Sequence, residues 1–156
     1  MAVNLNKTDV QKLNRILVDL MLQAEADGCV VCDQAGHVLA QEGVAAEDPH
    51  LLSALGAGVF AATRELARLL GEDEFSVVLH QGTKRSILMC AASEDALIAV
   101  IFSSNASVGM VKLYTPPAAQ SVRAILDDKK HDVRNAVHSD HGLFVLSDSD
   151  EVFGVK

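Results

Sequence analysis

Between Phe75 and Ser103 the chain carries three β-rich runs, Phe75 to Gln81, Ser86 to Ala92 and Ala96 to Ser103. Only Gly82-Thr83-Lys84-Arg85 and Ser93-Glu94-Asp95 separate them. Aromatic and β-branched runs broken by short clusters of turn residues read as a three-strand antiparallel meander. The longest uninterrupted apolar stretch, Ala96 to Phe102, has seven residues, against the roughly 20 that a membrane-spanning helix needs. Nothing in the sequence spans a bilayer as a helix.

Upstream, apolar residues at Val10, Leu13, Ile16, Leu17, Leu20, Met21 and Ala24 recur at helical spacing and predict a first helix, α1. Asn6 can cap it with Leu5 and Val10 as a hydrophobic staple, and Thr8 with Gln11 offers a competing capping box. Cys29 to Cys32 and Val38 to Ala40, joined by Gln34-Ala35-Gly36-His37, predict a hairpin, β1 and β2. Asp48-Pro49 is a helix start and Gly71 a stop, giving α2 from Pro49 to Leu70. Its stripe Leu52, Leu55, Val59, Ala62, Leu66 and Leu69 is expected to be buried. The meander follows as β3, β4 and β5. A third helix, α3, then begins near Ser104-Asn105-Ala106-Ser107, with Val111, Thr115, Ala118, Val122, Ile125 and Leu126 inward. Helical phase holds across Pro116-Pro117, yet an interior proline removes a donor, so a kink or short interruption is expected there.

From Asp127 the periodicity fades, and residues 127–156 hold seven acidic side chains against four Lys or Arg. Residues 1–130 are expected to form one domain and 131–156 a flexible acidic tail. Apolar residues around Ser147-Asp148-Ser149-Asp150-Glu151, Phe144 and Phe153 among them, suit a segment that orders on a partner. The chain has 156 residues, and its ten glycines added to the 49% AVILMFWYC give an apolar share of about 55%, above the usual range and suggestive of an interface. Its net charge of −8 argues against nucleic acid or an anionic membrane as partner. The first residues show no basic stretch leading into an apolar block, and three cysteines, read as thiols, fit a reducing compartment. The expected location is the cytoplasm.

The chemistry-bearing motifs are weak. Cys29 and Cys32, three apart on a strand, point to opposite faces and cannot chelate together. His138-Ser139-Asp140-His141 is expected to be a solvated pair, and Cys90 to be core. There is no Gly-x-Ser-x-Gly, no phosphate-binding Gly-x-x-x-x-Gly-Lys-Ser/Thr and no Gly-x-Gly-x-x-Gly after a strand. His80 and Asp95 read as turn residues. No catalytic residue, metal or cofactor is expected, and the chain is not read as an enzyme. The one unusual feature is the concentration of small residues in α2, Gly56, Ala57, Gly58, Ala61 and Ala62, in spite of the helix cost of glycine. They either let α2 lie close on the sheet or form a shallow floor for a partner, bordered by Arg64 and Arg68.

The element order, together with Gly-Val-Phe-Ala-Ala-Thr-Arg-Glu-Leu-Ala-Arg-Leu-Leu-Gly-Glu-Asp-Glu-Phe at 58–75, resembles the roadblock/dynein light chain family. Leu70-Gly71-Glu72, His80-Gln81-Gly82, Ile98-Ala99-Val100-Ile101-Phe102 and Val108-Gly109-Met110-Val111-Lys112-Leu113 resemble its bacterial branch, named for mutual gliding protein B (MglB). The resemblance implies an α/β (α+β) sandwich. Its five-stranded antiparallel sheet would run in order 2-1-5-4-3, with α2 on one face and α1 and α3 on the other. It also implies a homodimer made by β3 and α2, with Gly58, Phe75, Val77 and Leu79 at the interface. By the same resemblance Ala57, Ala61, Arg64, Glu65 and Arg68 would face a Ras-like, MglA-type small GTPase, with Phe144 and Phe153 engaging it from the tail. Proteins of this branch stimulate GTP hydrolysis by repositioning the GTPase's own residues, in cell polarity or gliding motility. The alternatives are a non-catalytic adaptor of the dynein light chain type and a small-molecule sensor. Two departures from the family pattern are Pro116-Pro117 within α3 and the charged pair Arg64-Glu65 on α2.

Overall fold

The computed structural model describes residues 3–43 and 48–154, with side chains of the last helix described as far as residue 137. The elements are α1 (Lys7–Ala24), β1 (Gly28–Asp33), β2 (Val38–Gly43), α2 (Pro49–Leu70), β3 (Val77–His80), β4 (Arg85–Ser93), β5 (Ala96–Ser103) and α3 (Val108–Gly154). The strands form one antiparallel sheet in order β2-β1-β5-β4-β3, as the resemblance implies. Val30 pairs with Gln41 on one side and Ala99 on the other, Leu88 with Val100, and Val78 with Met89. Every residue of β1 and all but the last of β5 are buried, because helices cover both faces of these two strands.

Side-chain alternation divides the strands between two cores. On one face Cys29, Val31, Leu88, Cys90, Ile98, Val100 and Phe102 pack against Leu13, Leu17 and Leu20 of α1 and Val111, Val122 and Leu126 of α3. On the other, Cys32, Met89, Leu97 and Ala99 pack against Phe60 of α2. Cys29 and Cys32 thus lie on opposite faces, as their spacing predicts. Burial pushes the Cys29 thiol up to about 12 and those of Cys32 and Cys90 to about 11. All three stay protonated at neutral pH.

Local chemistry sets the helix ends. Asn6 Oδ1 accepts from the Asp9 amide at 2.9 Å, and Asp9 Oδ2 accepts from the Asn6 amide at 3.0 Å, so the capping box forms here rather than at Thr8. Asp48 Oδ1 accepts from the amides of His50 and Leu51, and Gly71 closes α2 in the left-handed conformation. In the β1–β2 turn Asp33 accepts from the amides of Ala35 and His37, and Gly36 sits at φ +87° directly against α2. A Cβ on Gly36 would lie 2.5 Å from the Ala54 Cα.

One expectation for α3 needs correction. The helix runs through Pro116 and Pro117 without interruption. The carbonyls deprived of their donors belong to Lys112 and Leu113, both solvent-exposed, so water can satisfy them. The buried row Val111, Thr115, Ala119, Val122 and Leu126 keeps its phase across the pair. The helical backbone continues beyond Asp127 to Gly154. Adjacent lysines anchor it there. Lys129 Nζ lies 3.1 Å from Asp9 Oδ2 on α1, and Lys130 pairs with Asp95 at the β4–β5 turn. Burial pushes the Asp9 carboxyl up, but the Asn6 amide and Lys129 together bring it below its ordinary value. The Lys130 ammonium does the same for Asp95, against a smaller opposing effect of burial. The side chains of His138, His141, Phe144 and Phe153 lie outside the described residues.

Candidate functional site

Helix α2 is rotated relative to the expected arrangement. The residues it buries are Ser53, Gly56, Ala57, Phe60 and Ala67, a mostly small-residue face. Small side chains let the helix axis approach the sheet, with Phe60 as the one large anchor, and a Cβ on Gly56 would come to 3.5 Å from the Met89 sulfur. The stripe expected in the core lies instead on a flank. Leu55 is 63% exposed, Leu66 52% and Leu69 83%, with Ala62 exposed between them and Leu52 and Val59 only partly buried. Leu51 and Leu70 extend this flank at its two ends.

The leucine flank faces the β3 side of the molecule, since its neighbour Val59 packs against the same buried cluster as Val78, and Leu52 borders a groove with His80 and Ile87. β3 is the sheet's outer strand, and an unpaired edge beside an exposed apolar helix flank is a surface that solvent does not favour. Gly58 lies exposed near this flank, with nothing within 4 Å of where its Cβ would be. Packing within the protomer therefore gives no reason for glycine there. Gly58→Ala is expected to stabilise the dilute protomer by about 0.5 to 1 kcal/mol in urea unfolding, the ordinary helix-propensity gain. Of the other expected interface residues, Phe75 is partly buried, and Val77 and Leu79 turn into the core shared with α1 and α3. What β3 presents outward is its backbone edge.

The opposite flank of α2 holds the residues expected to meet a GTPase. Ala57, Ala61, Arg64, Glu65 and Arg68 all line one groove of about 310 Å³, closed by Gln34 of the β1–β2 turn and by Ala96 and Leu97 of β5. Ala57 needs a correction: at 6% exposure it is part of the groove's floor and packs toward the sheet, because it belongs to the small-residue face. Ala61 is exposed one turn later. Arg64 is held in place, its Nη2 donating to the Glu94 carbonyl at 2.7 Å and its guanidinium lying 5.6 Å from the Phe60 ring centroid. Gln34 Nε2 donates to the same carbonyl, so Glu94 ties α2 to the β1–β2 turn. Arg68 pairs with Glu65 at 2.9 Å.

The lining of the groove suits the recognition of a partner. It has an apolar floor, two guanidinium groups, one carboxylate and no nucleophile. A larger cleft of about 710 Å³ continues past Glu72, Asp73 and Glu74 to Arg123 on α3, where four carboxylates face three arginines and no strong field of either sign builds up. Among the described residues no three His, Cys, Asp or Glu side chains are grouped to hold a metal, and no helix is long and apolar enough to cross a membrane.

Sequence reasoning missed the leucine flank as a surface, along with Gln34, Phe60 and Glu94. The available signal was that α2 is apolar on two sides, one built of small residues and one of leucines.

Residues 12–102 match the Roadblock/LC7 domain family. Among solved structures, gliding protein MglB from Thermus thermophilus is 29% identical, with a TM-score of 0.75 over 81% of this chain and 97% of its own. Myxococcus xanthus MglB is also 29% identical, at a TM-score of 0.74 over 81% and 96%. An MglB structure with a tetrameric arrangement reaches 0.77 at 29% identity, over 82% and 97%. The sheet order, the placement of the helices and the matched residues agree, and the chain belongs to the Roadblock/LC7 domain family, with a protomer similar to that of MglB.

Proposed function

We propose that this protein is a homodimeric regulator, of the GTPase-activating type, of a Ras-like MglA-type small GTPase, acting in the cytoplasm in cell polarity or motility. The observation that carries the reading is the division of α2 into two flanks. The leucine flank and the β3 edge lie on one side of the molecule, where a second copy covers both at once. The groove of Ala61, Arg64, Glu65 and Arg68 stays open on the other flank for a different partner. Likeness to MglB, one structure of which is described as tetrameric, supports both self-association and the choice of partner.

No residue of this chain is assigned to the chemistry. An arginine finger must reach into the partner's phosphate site, whereas Arg64 is bound to a backbone carbonyl and Arg68 to a carboxylate. Positioning dominates phosphoryl transfer, so a surface that fixes the geometry of a GTPase loop is sufficient to accelerate hydrolysis. Residues 131–156 supply a second, acidic contact through Phe144 and Phe153.

The test is single-turnover phosphate release from a GTP-loaded MglA-like GTPase, with and without this protein. Acceleration is expected, and Ala61→Arg is expected to abolish it while shifting stability by no more than about 0.5 kcal/mol, because Ala61 is exposed. Binding with an unchanged rate would select the adaptor reading instead.

A further inference from the structure

β3 is four residues long, and the chain on either side of it carries opposite charge. Glu72, Asp73 and Glu74 precede it, and Lys84 and Arg85 follow it across the β3–β4 turn. All five side chains are exposed. Glu72, Asp73, Glu74 and Lys84 enter none of the ion pairs formed among the described residues.

We propose that these two flanks set the direction and register in which β3 pairs with β3 of a second copy, a step that rests on the homodimer reading above. A strand that pairs with its own symmetry mate across a two-fold axis must run antiparallel to it, and each residue before the axis lies beside one after it. The acidic flank of one protomer then meets the basic flank of the other, and the contact occurs twice. A parallel pairing would set three carboxylates against three. A slipped register would move Glu72, Asp73 and Glu74 away from Lys84 and Arg85. The flanks therefore reward one arrangement and penalise its competitors, which a bare strand edge does not. Each protomer carries a net charge of −8, so two copies repel at long range and local complementarity is the attractive electrostatic element at this edge.

The experiment is a charge reversal read by light scattering and analytical ultracentrifugation, with circular dichroism melts to confirm folding. One variant carries Glu72→Lys, Asp73→Lys and Glu74→Lys, and a second carries Lys84→Glu and Arg85→Glu. Lys84→Glu alone serves as a third variant that leaves Arg85 unchanged, and a smaller loss of affinity is expected of it. Each of the first two is expected to weaken its own dimer by about 30-fold or more at low salt, with a smaller loss at high salt. Mixed together they are expected to form a heterodimer, because both contacts become attractive again, and one chain carrying all five changes is expected to regain the homodimer. A wild-type chain that is monomeric would overturn the homodimer reading and this inference with it. A wild-type dimer whose affinity is unmoved by all the reversals would overturn the charge code alone.

Discussion

Replacing Leu55 and Leu66 together by Asp is expected to turn a dimer into a folded monomer. In the protomer both leucines stand mostly in solvent, 63% and 52% exposed, on the flank of α2 that faces the β3 side. Neither belongs to the buried clusters on the two faces of the sheet. A polar side chain at either position therefore displaces little within the protomer, and its own folding free energy should move by no more than about 0.5 kcal/mol per site. In a two-fold dimer with α2 beside α2 the same change removes four leucines from the interface. At about 25 cal/mol per Å² of apolar surface, withdrawing those partly exposed side chains from contact removes about 4 to 6 kcal/mol, a thousandfold or more in dissociation constant. Four carboxylates placed against one another add repulsion in the same direction. Light scattering at micromolar concentration should return the monomer mass, and a melt at low concentration should match the dissociated wild type. A variant that aggregates or melts tens of degrees lower would show that the flank packs within the protomer.

This expectation also marks the limit of what the sequence revealed. Hydrophobic periodicity located α2 to the residue, because Asp48-Pro49 and Gly71 are local chemical signals that hold in any context. It did not locate which face of α2 meets the sheet. Leu52, Leu55, Val59, Ala62, Leu66 and Leu69 have the spacing of a buried stripe, and they exclude water equally well against a sheet or against another protein. Ser53, Gly56, Ala57 and Ala67 are weak on any hydrophobic scale, yet they win the sheet because their small size permits close approach. The same rotation accounts for Ala57, which moves from an expected contact surface to the floor of the groove.

Strand positions were accessible from alternation and turn residues, whereas the order 2-1-5-4-3 came with the family resemblance, since periodicity carries no information about which strands are neighbours. Pro116-Pro117 signalled a break that does not occur. The local cost of the two prolines falls on carbonyls that water reaches, while the buried row from Val111 to Leu126 gains from one continuous helix. Gln34 and Glu94 carry no sequence signal at all. Their part in the groove is created by the fold, which brings two turns far apart in the chain against one helix.

The second large effect is expected at one of those turns. Gly36→Ala should destabilise the domain by about 3 kcal/mol or more, since it combines two penalties that usually occur apart. Its φ of +87° is a conformation that an L side chain occupies only at a penalty of about 1 to 2 kcal/mol. The new Cβ would also stand 2.5 Å from the Ala54 Cα and 3.0 Å from its nitrogen, which are helix backbone atoms with no rotamer to yield. Either the β1–β2 turn or the middle of α2 must shift, and overpacking of this kind adds about 1 to 3 kcal/mol. Urea unfolding should show a lower midpoint with an unchanged slope. The turn that Gly36 holds against α2 also carries Gln34, whose amide shares the Glu94 carbonyl with Arg64. Moving the turn opens the groove at its closed end. Gly36→Ala should therefore weaken GTPase engagement even at temperatures where the protein is still folded, whereas Gly58→Ala, outside the groove and with no atom within 4 Å of its Cβ, should leave that engagement intact. Equal loss of engagement in the two variants would mean that the groove does not receive the GTPase.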